Sequence, residues 1–323
     1  VGYLSGNLDL ETRRKVARQE VRYFYETIRE GEDPCGELNP LHRWAPEFFE
    51  IYLQQRPSEV AEEALKTAFK MWGSLRGVSE RVKEAVECIS CEEKIWPRAV
   101  GNGIFWSFYR DQRLEEGIAL IEEIAGAIPT KTPLLFELAQ GLFYTDNQEK
   151  ARSVFERIIE LDERKWYVEI GFAQGYVHEI DNLNIGQPGP VFSREDISGR
   201  QVDLKALRGK VVVLHFWSST CSACHLLSLH LHRIVQRFPE SQVSPVGFSK
   251  DTDSDLCRKQ IKKEGLIWPQ VCEGKGWQDR GFRLYNITGI PAVYVLDKAG
   301  SIAFKGGRKS GVQLEEIVYT LLS

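Results

Sequence analysis

The 323-residue chain has a single methionine, Met71, and no run of about 18 apolar residues. The missing run excludes a membrane-spanning helix. The scarcity of methionine leaves one thioether in the whole sequence to serve as an axial metal ligand. No dense Lys/Arg stripe with interleaved aromatics occurs, so nucleic acid is not an expected partner. The sequence opens on Val1 without a basic segment leading into an apolar one. The expectation is that a targeting segment has been removed or that the sequence has been shortened.

What is present suffices for two ordinary domains, since 42% of the residues are hydrophobic. The formal net charge of -4 is unevenly spread: residues 1–185 carry -10 and residues 186–323 carry +6. Two units with different surfaces are implied. The opposite signs would help the halves dock, or they are simply two solvated surfaces of different ancestry.

From about Leu8 to Val177 the pattern is helix after helix, with apolar residues three and four apart, as in Val21, Phe24, Tyr25 and Ile28. Breaks are expected at Gly31 to Pro34, Pro57, Gly73 to Gly77, Pro97, Pro129 and Pro133. An internal repeat appears late in this region: Ile104 aligns with Leu138, Phe108 with Leu142, Gly117 with Ala151, Ile121 with Phe155 and Ile124 with Ile158, always 34 residues apart. The segment LAQGLFYTDNQEKARSVFERIIELDE, with its turn at Asp146-Asn147, resembles a tetratricopeptide repeat. An all-α domain of helical hairpins, or a helical bundle, is expected over residues 1–180.

Near Asn182 the pattern changes, and a second domain is expected over residues 181–323. VVVLHFW (211–217) is a continuous β-branched and aromatic run, as in a strand buried on both faces. A helix should follow from about Cys221 to Phe238, then a strand over Val243 to Phe248. A polar helix is expected around Asp253 to Glu264. A hairpin of Ala292 to Leu296 with Ser301 to Phe304 comes next, and a last helix over Val312 to Leu322. These elements make an α/β layer structure.

Of seven cysteines, two pairs have C-x-x-C spacing. Cys221 and Cys224 fall at the strand-to-helix junction. There the unpaired N–H groups of the helix and its dipole favour a thiolate on the first sulfur. The second sulfur, one turn further in, can resolve a mixed disulfide. Cys221 is therefore the expected nucleophile and Cys224 the resolving thiol. Cys88 and Cys91 lie in a helical stretch whose geometry suits buried small hydrophobes better than a disulfide. Cys257 and Cys272 are compatible with a bridge or with two thiols. Trp268 and Trp277 could line the rim of the site or belong to the core.

IGQPGPVF (185–192), LKALRGKVVVLHFW (204–217), Cys221-Ser222-Ala223-Cys224 and GIPAVYVLDKAG (289–300) together resemble the extracytoplasmic TlpA/ResA-type thioredoxins. The resemblance covers about residues 185–323. It implies a thioredoxin fold, in which a central mixed sheet is flanked by helices. It also implies dithiol–disulfide exchange with protein substrates, no cofactor and an extracytoplasmic location. A cis bond is implied before Pro291, opposite the cysteines, and the backbone of Ile290 would pair with an extended substrate. Thr220 and Trp217 join Ile290 as substrate-side candidates.

The departures are Thr220 for the family's usual Trp, Ser222-Ala223 for a proline-containing pair, Leu227 for Glu and Leu229 for Pro. His215 stands where thioredoxins keep a buried Asp. It is a candidate proton relay beside Cys221, Cys224 and Pro291, or a packed strand residue.

Rival readings use the same residues. Cys221 to His225 forms a C-x-x-C-H haem string, but only Met71 could supply a distal methionine. His225, His230 and His232 do not share one helix face, so no metal site is expected. A thioredoxin-fold peroxidase would need Pro where Leu214 stands, although Ser218 fits. A further alternative is a scaffold whose helices bind a partner and whose thioredoxin module turns over little.

Overall fold

A computed structural model describes residues 9–28, 32–89, 96–128, 131–145, 147–161, 167–308 and 310–323. Cys91, Pro129 and Asp146 lie outside the described residues. The chain forms two units, residues 1–174 and 175–323.

Among the described residues the first unit is helical: α1 (Leu10–Thr27), α2 (Leu41–Gln55), α3 (Glu59–Trp72), α4 (Ser79–Glu87), α5 (Trp96–Arg110), α6 (Leu114–Ala127), α7 (Thr132–Tyr144) and α8 (Gln148–Glu160). A ninth helix, α9 (Tyr167–Asn182), contains the division between the units. Local chemistry sets several boundaries. Asp9 and Ser58 accept the N–H groups of Thr12 and Ala61 as N-caps of α1 and α3. Pro133 sits in the first turn of α7, where its missing N–H costs nothing.

α5 packs on α6, α7 on α8, and α5 on α7. Ile104, Phe108, Leu138 and Leu142 are buried, as are Ile121, Ile124, Phe155 and Ile158. α6 can approach α5 because position 117 has no side chain: a Cβ there would lie 2.7 Å from that of Phe108. Ala151, 34 residues on, is wholly buried. The stripe on α1 behaves differently. Val21, Phe24 and Ile28 are half-buried, Tyr25 is exposed, and Ala17 is the buried residue of that helix.

In the second unit a hairpin of β1 (Ser193–Glu195) and β2 (Gln201–Asp203) precedes the main sheet. That sheet contains β3 (Val211–Trp217), β4 (Val243–Ser249), β5 (Gln270–Val271), β6 (Ala292–Leu296) and β7 (Ile302–Gly306), in the order β5-β4-β3-β6-β7. β3, β4 and β5 run parallel, while β6 and β7 run antiparallel to their neighbours. Among the described residues four further α-helices belong to this unit, after the last turns of α9: α10 (Ser222–Arg237), α11 (Ser254–Glu264), α12 (Arg280–Leu284) and α13 (Gly311–Leu322). This is the expected thioredoxin fold with its mixed central sheet.

Strand alternation divides the core into two layers. Val212, Leu214 and Phe216 face Phe282, Tyr285 and Tyr294. Val211, Val213 and Trp217 face Leu227, Leu231 and Ile234 of α10 and Leu314 and Val318 of α13. β3 is buried at all seven positions, as its unbroken apolar run requires. The hairpin turn from Asp297 closes at Gly300, whose φ of +77° favours glycine.

Candidate active site

Parallel strands in a layered sheet open a crevice beyond their carboxyl ends, and the cysteine pair lies there. β3 and β4 are paired to their last residues, Trp217 opposite Ser249, and Lys250 N–H donates to Trp217 C=O at 2.8 Å. The chain leaving β3 therefore runs beside the chain leaving β4.

Cys221 is the N-cap of α10, and its Sγ accepts the Cys224 N–H at 3.2 Å. Cys221 and Cys224 are joined in a disulfide. The two sulfurs differ in environment: Cys221 is half-buried, whereas Cys224 is wholly buried in the layer of Trp217, Leu227 and Leu231. Ring opening by a thiol would leave the accessible sulfur at the positive end of a helix and the buried one among hydrocarbons. The first setting favours a thiolate and the second opposes it.

Thr220 and Ser222 are exposed beside Cys221, and Leu226 follows one turn along α10 with 64% of its surface exposed. The Ile290–Pro291 bond is cis. Ala292 lies opposite Phe216, so β6 begins at the end of the sheet where β3 finishes. That register brings Pro291 to the cysteine end. Pro291 is buried and Ile290 half-buried.

Other expected residues are placed differently. Trp217 is wholly buried, and its indole N–H donates to Gln270 Oε1 at 3.0 Å. It braces the strand end and presents no surface to a substrate. Trp268 is core, while Trp277 is exposed with Lys250 Nζ 4.7 Å from its ring centroid.

His215 is wholly buried on the α10 face of β3, by alternation with Val213 and Trp217. Neither ring nitrogen has a hydrogen-bond partner among the described residues. Desolvation, with a smaller push from the charge of His225, lowers its pKa from 6.5 to about 3. The imidazole is neutral near pH 7, so a relay that protonates it would operate only in strong acid.

Cys88 is exposed at the C-cap of α4, because the helix ends at Glu87 rather than running through it. The reading of Cys88 as a buried hydrophobe is therefore corrected. Its carbonyl accepts from Arg56 Nη1 at 2.7 Å. His225 pairs with Glu264, His230 with Glu315, and His232 with the Glu264 carbonyl. Glu264 thus serves both His225 and His232, and Glu315 serves His230. Among the described residues no group of three or more His, Cys, Asp or Glu is placed to hold a metal ion.

Asp251 was not singled out by its local sequence. Its carboxylate accepts from Ser218 Oγ at 3.0 Å, from Ser219 N–H at 2.9 Å, from Ser219 Oγ at 3.0 Å and from Ser249 Oγ at 2.8 Å. It fastens the loop that enters Cys221. The available signal was topological: a polar residue just past β4 must neighbour one just past β3.

Among the described residues no helix is long and apolar enough to cross a membrane. Residues 185–305 match the model of the AhpC/TSA family. The thiol-disulfide oxidoreductase ResA of Bacillus cereus is 27% identical over 150 residues, covering 46% of this chain and 85% of ResA. The thioredoxin-like protein YneN of Bacillus subtilis is 27% identical over 134 residues, covering 40% of this chain and 75% of YneN. The solved thioredoxin domain of a Bacteroides vulgatus thiol-disulfide oxidoreductase is 26% identical and covers 44% of this chain and all of that one, with a TM-score of 0.40. The C-terminal half of this chain is a thioredoxin-fold domain that matches the AhpC/TSA family model over residues 185–305 and is similar in sequence to the ResA oxidoreductases.

Proposed function

We propose that this thiol–disulfide oxidoreductase reduces protein disulfides outside the cytoplasm, with Cys221 as nucleophile and Cys224 as resolving thiol. The observation that carries the reading is the asymmetry of the pair: Cys221 caps α10 at the surface and Cys224 is buried beneath it. In the dithiol form the Cys221 thiolate attacks one sulfur of a substrate disulfide and the other leaves as a thiolate. Cys224 then loses its proton and attacks Cys221 Sγ, freeing the second substrate thiol. The Cys221–Cys224 disulfide is the product.

The surroundings of Cys224 support the direction. Trp217, Leu227 and Leu231 give a buried thiolate no compensating charge. Cys224 therefore stays a thiol when reduced and adds none of the thiolate stabilisation that makes a dithiol pair a strong oxidant. The resemblance to TlpA/ResA-type thioredoxins supports an extracytoplasmic location and Ile290 as the backbone that pairs with an extended substrate. Thr220, exposed beside Cys221, is a second substrate contact in this reading. The helical domain is proposed to bind or orient the partner.

Insulin-disulfide reduction tests the chemistry: Cys221→Ser should fall to background, and Cys224→Ser should accumulate mixed disulfides through Cys221. Equal turnover by wild type and Cys221→Ser would leave the module as a scaffold. The reduction potential tests the direction. A value near about -270 mV fits a reductase, and one near about -120 mV reverses the assignment.

A further inference from the structure

The second unit holds another pair of thiols, away from the α10 N-terminus. Cys257, on α11, is wholly buried in the apolar layer that also contains Leu266 and Trp268. Cys272 directly follows β5 and is half-buried. The two side chains are in hydrogen-bonding contact with each other and with the Ser249 hydroxyl. Cys272 Sγ also donates to the Asp251 carbonyl at 3.7 Å. The pair therefore sits directly behind the Asp251 network.

Its sulfurs are as unequal as those of Cys221 and Cys224. Hydrogen bonds from Cys257, Gly274 N–H and Ser249 favour the thiolate of Cys272 and lower its pKa. The Cys257 thiol is pushed the opposite way, by that same hydrogen bond and by desolvation. Cys272 is half-buried and its thiolate is favoured, whereas Cys257 is wholly buried and its thiol is favoured. That division of labour suits a nucleophile and a resolving thiol.

We propose that Cys257 and Cys272 form a second dithiol–disulfide centre, in which Cys272 attacks a low-molecular-weight disulfide and Cys257 resolves the adduct. With glutathione disulfide, the Cys272 thiolate forms a bond to one glutathione sulfur and the S–S bond of the reagent breaks. The departing glutathione thiolate takes up the proton that Cys272 lost. Cys257 then gives up its proton and attacks Cys272 Sγ, and the second glutathione leaves with that proton. Two protein thiols are oxidised and one small disulfide is reduced to two thiols. The reaction needs no electrons from Cys221 or Cys224, so it stands whichever way that pair runs.

The test uses the full-length protein, reduced and then equilibrated across ratios of oxidised to reduced glutathione, acid-quenched, alkylated and mapped by mass spectrometry. The expected result is that Cys257 and Cys272 lose their alkylation in step and appear as a linked peptide pair. The same loss should occur in the Cys221→Ser/Cys224→Ser variant. Cys257→Ser should retain glutathione on Cys272, and Cys272→Ser should leave Cys257 fully alkylated. The proposal is overturned if both thiols stay alkylated in oxidised glutathione alone while the Cys221–Cys224 peptide in the same wild-type digest oxidises. Glutathione found on Cys257 in Cys272→Ser would equally overturn it.

Discussion

At the scale of single residues, His215 carries the clearest pH signature. Burial lowers its pKa from 6.5 to about 3, so between those values the unfolded chain binds a proton that the folded chain excludes. Its contribution is therefore neutral above pH 6.5, and stability falls as pH drops below it, by at most about 1.4 kcal/mol per pH unit. His215→Val removes the titration and two unpartnered buried nitrogens together. Urea unfolding of both proteins from pH 7 to pH 5 should show the variant gaining on wild type as pH falls. Parallel curves would show that His215 reaches a proton acceptor or solvent in the folded state. The position was legible in the sequence, six residues before Cys221, but its neutrality was not. That depends on side chains from α10 and the neighbouring strands, which local pattern does not name.

At the scale of elements, legibility tracks how local each cause is. β3 matches its seven-residue apolar run, and α10 begins one residue after the cysteine that caps it, because both follow from adjacent residues. β5, with two residues, and the three-residue strands of the β1–β2 hairpin are too short to show a period. They exist through partners: Gly247 and Phe248 pair with Gln270 and Val271. Asp251 was illegible for the same reason, since its partners Ser218 and Ser219 lie 33 and 32 residues away.

The role of Asp251 as a positioning residue is testable. Asp251→Ala leaves the buried Ser218 hydroxyl and the Ser219 N–H without their acceptor, a loss of about 1–3 kcal/mol. It also frees the loop entering Cys221, and misplacing the nucleophile should lower kcat/KM for insulin reduction about 10- to 100-fold. Asp251→Asn keeps one acceptor oxygen and should recover part of the rate. A kcat/KM unchanged in Asp251→Ala, with a lowered Tm, would restrict the carboxylate to holding the fold.

At the scale of the whole molecule, the composition change near Asn182 and the division between the units do not coincide. The second unit begins at Gly175, inside α9, because the last turns of that helix belong to its structure. Glu179 binds Lys305 Nζ at 3.0 Å and Asn286 Nδ2 at 2.8 Å. His178 Nε2 lies 3.3 Å from the Leu284 carbonyl, and the Ile180 carbonyl accepts from Asn184 at 2.6 Å. The sequence pattern hides these ties, since a polar helix end resembles the start of a linker.

A fragment starting at Asp181 loses all of these partners, whereas one starting at Gly175 keeps them. The half-buried ion pair and two or three hydrogen bonds amount to on the order of 3 kcal/mol. For a unit of this size, that lowers Tm by about 10 °C. Both fragments retain Cys221, Cys224 and Pro291, so both should reduce insulin well below their melting points. Calorimetry of the two fragments checks the difference. Equal melting temperatures would mean that residues 175–180 add nothing to the fold, and that the unit is complete from Asp181 onward.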